Sequence, residues 1–147
     1  MRTTGVRLLE NEIARVRLGD RRVTIGGIKV DYRSPQALRV QGRLESASGL
    51  GDVRLLLAHR PDAVLNLSPR SRVDLTLAGH THGGQVQLPG VGALTILSDV
   101  PRQVGAGGLH ALAGRRVYVS RGVGAERGQA PRLRFGAVPE VSLITLR

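Results

Sequence analysis

Three short apolar runs constrain this chain more than anything else in it. Residues 53–58 (Val-Arg-Leu-Leu-Leu-Ala), 73–78 (Val-Asp-Leu-Thr-Leu-Ala) and 116–120 (Arg-Val-Tyr-Val-Ser) each read as a strand. The first two have the near-continuous apolar character of strands buried on both faces. Each runs into a loop that carries chemistry: His59 after the first, His80 and His82 after the second, Ser120 and Arg121 after the third. Layered α/β sheets collect functional groups where their strands end, so these three loops are expected along one sheet edge. Before them, residues 13–18 alternate apolar with basic, and Gly19-Asp20 reads as a hairpin turn into a partner strand over 23–30. Ser34-Pro35 caps a helix with Ala37, Leu38 and Leu44 on one face, weakened by Gly42. Residues 46–52 read as a loop, and Pro61-Asp62 opens a second helix through Ala63, Val64, Leu65 and Leu67. Gly and Pro dominate from residue 79 to the third apolar run, and a last strand is expected over 141–146 after Pro139. The outline is an α/β or α+β layered domain.

Composition narrows the chemistry. At 147 residues and 41% hydrophobic the chain suits one domain with a real core, and 2% aromatics make that core aliphatic. With no Cys, disulfides, thiolate metal sites and Cys nucleophiles are excluded, so a metal would need His, carboxylate or amide ligands. No window holds about 18 consecutive apolar residues, and the first residues lack a signal-peptide core. The expectation is a chain without a membrane segment, cytoplasmic or peripheral to the membrane. The formal charge is +11, carried by arginine except at Lys29. The arginines are scattered and stacking aromatics are scarce, so no specific nucleic acid is expected. A second reading stands beside the catalytic one: a non-catalytic basic module that binds an anionic polymer such as nucleic acid, with strong salt dependence and dispensable histidines.

The most informative stretch is Ala-Gly-His-Thr-His-Gly-Gly-Gln, residues 78–85. Two histidines two apart, fenced by Gly79 and by Gly83-Gly84, require a backbone with unusual dihedral freedom. In an extended segment positions i and i+2 point the same way, so His80 and His82 are expected to reach neighbouring metal positions. His59 follows a strand in the same manner. His110 has no companion in sequence and is expected to lie off the site. Arg121, in Ser-Arg-Gly-Val-Gly, is a candidate phosphate contact because the glycines bring backbone close.

Taken in order, Leu-Ala-His-Arg-Pro-Asp (57–62), Ala-Gly-His-Thr-His-Gly-Gly-Gln (78–85) and Tyr-Val-Ser-Arg-Gly-Val-Gly (118–124) resemble the calcineurin-like metallophosphoesterases, most closely the bacterial branch with Gly-His-Thr-His-Gly-Gly-Gln. Arg-Phe-Gly-Ala-Val-Pro-Glu (134–140) and the opening Gly-Val-Arg-Leu-Leu-Glu-Asn-Glu (5–12) extend the resemblance over nearly the whole chain. It implies residues 1–147 as a single partial domain, the C-terminal half of a four-layer β-sandwich flanked by helices. It also implies hydrolysis of phosphomono- or phosphodiesters by two divalent ions (Mn, Fe or Zn), with in-line attack at phosphorus.

The family's first three motifs (Asp-x-His, a Gly-Asp whose carboxylate bridges the metals, and Gly-Asn-His-Asp) have no counterpart here. No Asp precedes a His by two residues, neither Asn11 nor Asn66 precedes a His, and Gly19-Asp20 and Gly51-Asp52 sit in loops that read as turns. By resemblance, His59 and His80 ligate one metal and His82 the other, Gly79, Gly83 and Gly84 shape the loop, and Arg121 lies near the phosphate. At most one weakly bound ion is expected in this chain, with no hydrolysis by it alone. The implied partners are a phosphoester substrate and a separate N-terminal half.

Overall fold

The computed structural model describes residues 5–46, 51, 53–125, 128 and 133–145. Alternation in the N-terminal segment produces the expected hairpin. Strand β1 (Glu12–Leu18) turns at Gly19-Asp20 and returns as the antiparallel β2 (Arg21–Gly27), with Val16 opposite Val23. Helix α1 (Pro35–Ser46) starts where Ser34-Pro35 places it, and the Ser34 hydroxyl accepts the Ala37 N–H at 3.2 Å. Gly42 faces open space, so its lack of a side chain costs the helix only propensity. The apolar runs become β3 (Val53–Leu57), β4 (Leu75–Ala78) and, after the connecting elements described below, β8 (Arg115–Val119). Strands β2, β3, β4 and β8 are parallel neighbours, and β1 closes one edge.

Period-two alternation gives this sheet two unlike faces. On one, Gly26, Leu56, Thr76 and Val117 align across four strands and meet Val40 and Leu44 of α1 together with Ala63 and Val64. Gly26 permits the close approach of α1, since a Cβ there would stand 2.5 Å from Leu44 Cδ1. Arg54 shares this face, and its guanidinium donates to the Leu44 carbonyl at 2.7 Å. Burial, reinforced by Arg72, lowers the Arg54 pKa, while Asp74 opposes the shift. On the other face Val16, Val23, Ile25, Leu55, Leu57, Leu75, Leu77 and Tyr118 align by the same registers. Val23 and Leu55 are buried but stand apart from the main core cluster, Ile25, Leu57, Leu75 and Leu77 are only half-buried, and Val16 is exposed. Strands expected to be buried on both faces therefore have one covered face and one largely apolar face that is partly open.

Several elements depart from expectation. Residues 61–66 form a 3-10 helix (Pro61–Asn66) instead of an α-helix, closed by Leu67 N–H to the Val64 carbonyl. The coming Ser68-Pro69 pair and the side-chain commitments of Asp62 and Asn66 stop it from lengthening. The glycine-rich stretch is not strandless. It holds a 3-10 turn (His82–Gly84), the two-residue strands β5 (Gln87–Leu88) and β6 (Gly92–Ala93), the one-turn helix α2 (Arg102–Gly105), and β7 (Gly108–Leu112). Strand β7 joins β8 through Ala113-Gly114, both at positive φ, and forms the second antiparallel edge. Residues 141–145 carry no strand. They lie along the molecule without a ladder, with the Ser142 hydroxyl bonded to the Tyr118 oxygen and Val141 and Leu143 almost fully exposed. Leu146, Asp52 and residues 47–50 fall outside the described residues.

Candidate metal centre

The parallel ladder brings the three chemistry-bearing loops to one sheet edge. Beyond the strand ends, Ala58 N–H donates to the Leu77 carbonyl, Gly79 N–H to the His59 carbonyl and Ser120 N–H to the Ala78 carbonyl. His59, His80 and Ser120-Arg121 therefore leave the sheet side by side.

His59 and His80 meet. His59 Nε2 and His80 Nδ1 stand 3.1 Å apart, with ring centroids 4.9 Å apart and planes tilted by 58°. Two imidazole nitrogens bound at the usual Zn–N distance in tetrahedral geometry are separated by about 3.3 Å, so this pair already has the spacing of two adjacent ligands on one ion. Burial lowers the His80 pKa, helped by the neighbouring His59 and Arg60, while the backbone of Leu97 and the charge of Asp62 oppose the shift. A neutral imidazole is the metal-binding form. Among the described residues no further His, Asp or Glu joins the pair to make a ligand set of three.

His82 faces elsewhere, and the reason is backbone geometry. The His-Thr-His stretch is not extended. His80 (φ 72°) and His82 (φ 49°) are left-handed, and Thr81 between them is right-handed (φ −72°, ψ −18°). The i and i+2 side chains thus lose the common direction expected of a strand. The Thr81 hydroxyl accepts the Gly83 N–H, and Gln85 (φ 55°) ends the turn fully buried. His82 Nδ1 lies 3.3 Å from Arg134 Nη2. Arg134 also donates to the carbonyls of Arg121, Gly124 and Ala137, so one guanidinium joins four loop positions. No motif in the sequence marks Arg134; only its position in 134–140 hinted at it.

The glycines differ in their roles. Gly83 (φ 66°) would place a Cβ 2.8 Å from Arg121 Cγ, and Gly84 (φ 72°) one 2.4 Å from the Thr95 carbonyl oxygen. Gly79 has room for a side chain, its nearest neighbour being the Ser120 carbonyl at 3.9 Å. Arg121 is engaged within the protein: its Nε and Nη2 donate to Glu140 at 2.8 and 2.5 Å, and its backbone N–H donates to the same carboxylate at 3.1 Å. Burial would raise the Glu140 pKa, but Arg121 and the Tyr118 hydroxyl outweigh it and hold the carboxyl low. His110 lies on β7, with its ring bonded to the Gly107 carbonyl.

Asp62, expected only to open a helix with Pro61, braces this edge. It is wholly buried and accepts from Asp99 N–H at 2.6 Å, Ser98 Oγ at 2.9 Å and Arg60 Nε at 3.2 Å. Arg60 continues to the Leu97 carbonyl. The loop after His59 and the loop 97–99 are thereby fastened together beneath the His59–His80 pair. Beside His59 opens a hollow of about 510 Å³ walled by Leu8, Leu9, Ile28 and Val30.

Comparison with known proteins supplies the family. Over 93 residues the chain is 42% identical to the uncharacterized metallophosphoesterase YkuE of Bacillus subtilis (strain 168), a match covering 63% of this chain and 30% of that protein. Over 95 residues it is 42% identical to the phosphodiesterase YaeI of Escherichia coli (strain K12), covering 63% of this chain and 32% of YaeI. The chain is related to the metallophosphoesterases. A longer match, 30% over 138 residues, joins it to the uncharacterized metallophosphoesterase YkoQ of Bacillus subtilis (strain 168), covering 94% of this chain and 48% of YkoQ. The matched stretch thus spans less than half the length of each of these metallophosphoesterase relatives. No family model matches the chain, and no solved structure matches it. Among the described residues no helix is long and apolar enough to cross a membrane.

Proposed function

We propose that the edge carrying His59, His80 and His82 is the imidazole part of a divalent-metal site for phosphoester hydrolysis. The observation that carries this reading is the 3.1 Å separation of His59 Nε2 and His80 Nδ1 at the ends of two adjacent parallel strands. A divalent ion held there, whether Mn, Fe or Zn, supplies Lewis-acid stabilisation of charge developing on phosphoryl oxygens. The protein's own residues provide the rest. Asp62 and Arg60 fix the His59 loop, burial shifts His80 towards its neutral form, and Arg121 contacts a phosphate only by giving up part of its bond to Glu140.

In this reading residues 1–147 form one partial domain whose open apolar sheet face receives a second sheet. A separate N-terminal half would bring that sheet, completing a four-layer sandwich. The same half supplies the carboxylate and amide ligands that a dinuclear centre needs, because three histidines cannot satisfy two ions of four or more ligands each.

Titration of the chain with Zn or Mn, followed by assay against an activated phosphodiester, tests the proposal. One ion should bind with micromolar or weaker affinity and be lost in His59→Ala and His80→Ala, without turnover. Metal-dependent turnover by the chain alone, abolished by chelation and by His80→Ala, would overturn the partial-site reading. Metal binding unaffected by both substitutions would overturn the ligand assignment.

A further inference from the structure

We propose that the sheet edge opposite the histidines is a docking surface for an anionic phospholipid bilayer. The inference is independent of any metal at His59 and His80. Scattered along the sequence, the arginines are gathered by the topology. Strands β2, β3, β4 and β8 run parallel, so their first residues share one edge, and β1 ends there because it is antiparallel to β2. Arg17, Arg21, Arg22, Arg70, Arg72 and Arg116 stand at or beside those strand ends, and all six are exposed. The loops of this edge touch one another. A Cβ on Gly51 would meet the Arg22 carbonyl oxygen at 2.6 Å, one on Gly114 the Pro69 carbonyl oxygen at 2.7 Å, and Arg115 donates to the Leu67 carbonyl at 2.8 Å. At about 4.8 Å per strand, the edge from β1 to β8 is about 20 Å long.

Charge distinguishes the two edges. The pairs Arg7–Glu12, Lys29–Glu10, Arg33–Asp99, Arg60–Asp62 and Arg121–Glu140 all lie toward the histidine edge, where carboxylates neutralise the cations. Among the described residues the opposite edge holds the acids Asp20, Glu45 and Asp74, outnumbered by its arginines, and the last two accept the backbone N–H groups of Ser68 and Arg54. One edge thus concentrates positive potential and attracts phosphates. Its apolar content decides for lipid over nucleic acid. Leu18, at the hairpin tip between Arg17 and Arg21, is 55% exposed. Beside it Arg15, Arg17, Arg22, Val16 and Val23 wall a hollow of about 390 Å³. Guanidinium groups at headgroup level with aliphatic side chains reaching below them suit a bilayer interface. Single-stranded bases call for stacking platforms, and among the described residues this edge presents no aromatic ring. Docked in this way, the chain holds its His59 edge a strand's length from the bilayer, facing water.

Flotation of the full chain with vesicles tests this, because vesicle-bound protein rises while aggregated protein sinks. The chain should rise with vesicles of phosphatidylglycerol and phosphatidylcholine, stay down with phosphatidylcholine alone, and be released by high salt. The triple variant Arg17→Gln, Arg21→Gln, Arg116→Gln should bind about a hundredfold more weakly, at about fivefold per arginine. Arg7, Arg33 and Arg102 lie toward the histidine edge. Replacing those three by Gln removes the same charge beyond a Debye length of about 8 Å, so binding should stay within about twofold of wild type. The sequence has no Trp, so Leu18→Trp is a lone reporter whose emission should shift to the blue on these vesicles and stay unchanged with duplex DNA. Equal loss in both triple variants would show that net charge drives binding and would overturn the proposal. So would failure to float, an unshifted Leu18→Trp emission, or binding of duplex DNA in place of vesicles.

Discussion

Removing the Asp62 carboxylate is the sharpest test of how the site edge is braced. The side chain is wholly buried and accepts three hydrogen bonds, one of them from the Arg60 guanidinium. Asp62→Asn keeps an acceptor for Asp99 N–H but sets a neutral amide against Arg60, removing about one charge-assisted bond worth about 2 kcal/mol. Asp62→Ala strands all three donors and should destabilise by about 3–5 kcal/mol, the cost of breaking a buried pair. Urea denaturation at neutral pH reads both as a lower midpoint with an unchanged slope. The pH dependence has a defined sign. Burial raises the Asp62 carboxyl, but Asp99, Ser98 and Arg60 together outweigh it and hold the folded-state pKa below its ordinary value. Its contribution is therefore fully present above the unfolded-state pKa of about 3.9 and is lost as pH falls through the lower folded-state pKa. The gap between wild type and Asp62→Asn should narrow in that acid range. An Asp62→Ala variant within about 0.5 kcal/mol of wild type, or a gap that widens in acid, would refute the argument.

Three further outcomes are expected. Gly26→Ala should cost about 1–3 kcal/mol by overpacking Leu44 and Val40, measured by denaturant midpoint; a neutral result would mean that α1 yields freely. Gly84→Ala combines a left-handed φ with a Cβ 2.4 Å from the Thr95 carbonyl, so it should shift the His80 and His82 ring resonances and weaken Zn binding, whereas wild-type spectra and affinity would show that the turn is not constrained. The open sheet face should make the purified chain dimerise, aggregate or melt without cooperativity in light scattering and calorimetry; a sharply melting monomer would mean that the face is adequately covered.

What the sequence disclosed followed from strong local signals. Strict alternation over 13–18, the Ser34-Pro35 cap and the aliphatic density of 53–58 left little choice of element, and the three strand-end loops do share an edge. The failures come from tertiary context. Residues 108–112 looked like loop because a strand at the sheet edge needs little apolar content; Leu109 is exposed, and the cue lay in the Ala113-Gly114 turn. Residues 141–145 have strand-like composition but no ladder partner. The His80–His82 geometry was invisible because the alternation of left- and right-handed residues is fixed by packing at Gly83, Gly84 and Gln85, not by the His-x-His spacing. Asp62 and Arg134 act through partners far along the chain, and nothing beside them in sequence announces those partners.

The order of strands has a consequence for how the site comes into being during synthesis. Strands β2, β3 and β4 pair across modest separations, so the His59–His80 contact becomes possible once the chain reaches residue 80. Strand β8 meets β4 only after residues 79–114 have closed into a loop, the slower event because long-range pairing must first offset its closure entropy. Arg121, Glu140 and Arg134 arrive later still. A nascent chain leaving the ribosome therefore brings His59 beside His80 before the Arg121–Glu140 pair and Arg134 tie the neighbouring loops together.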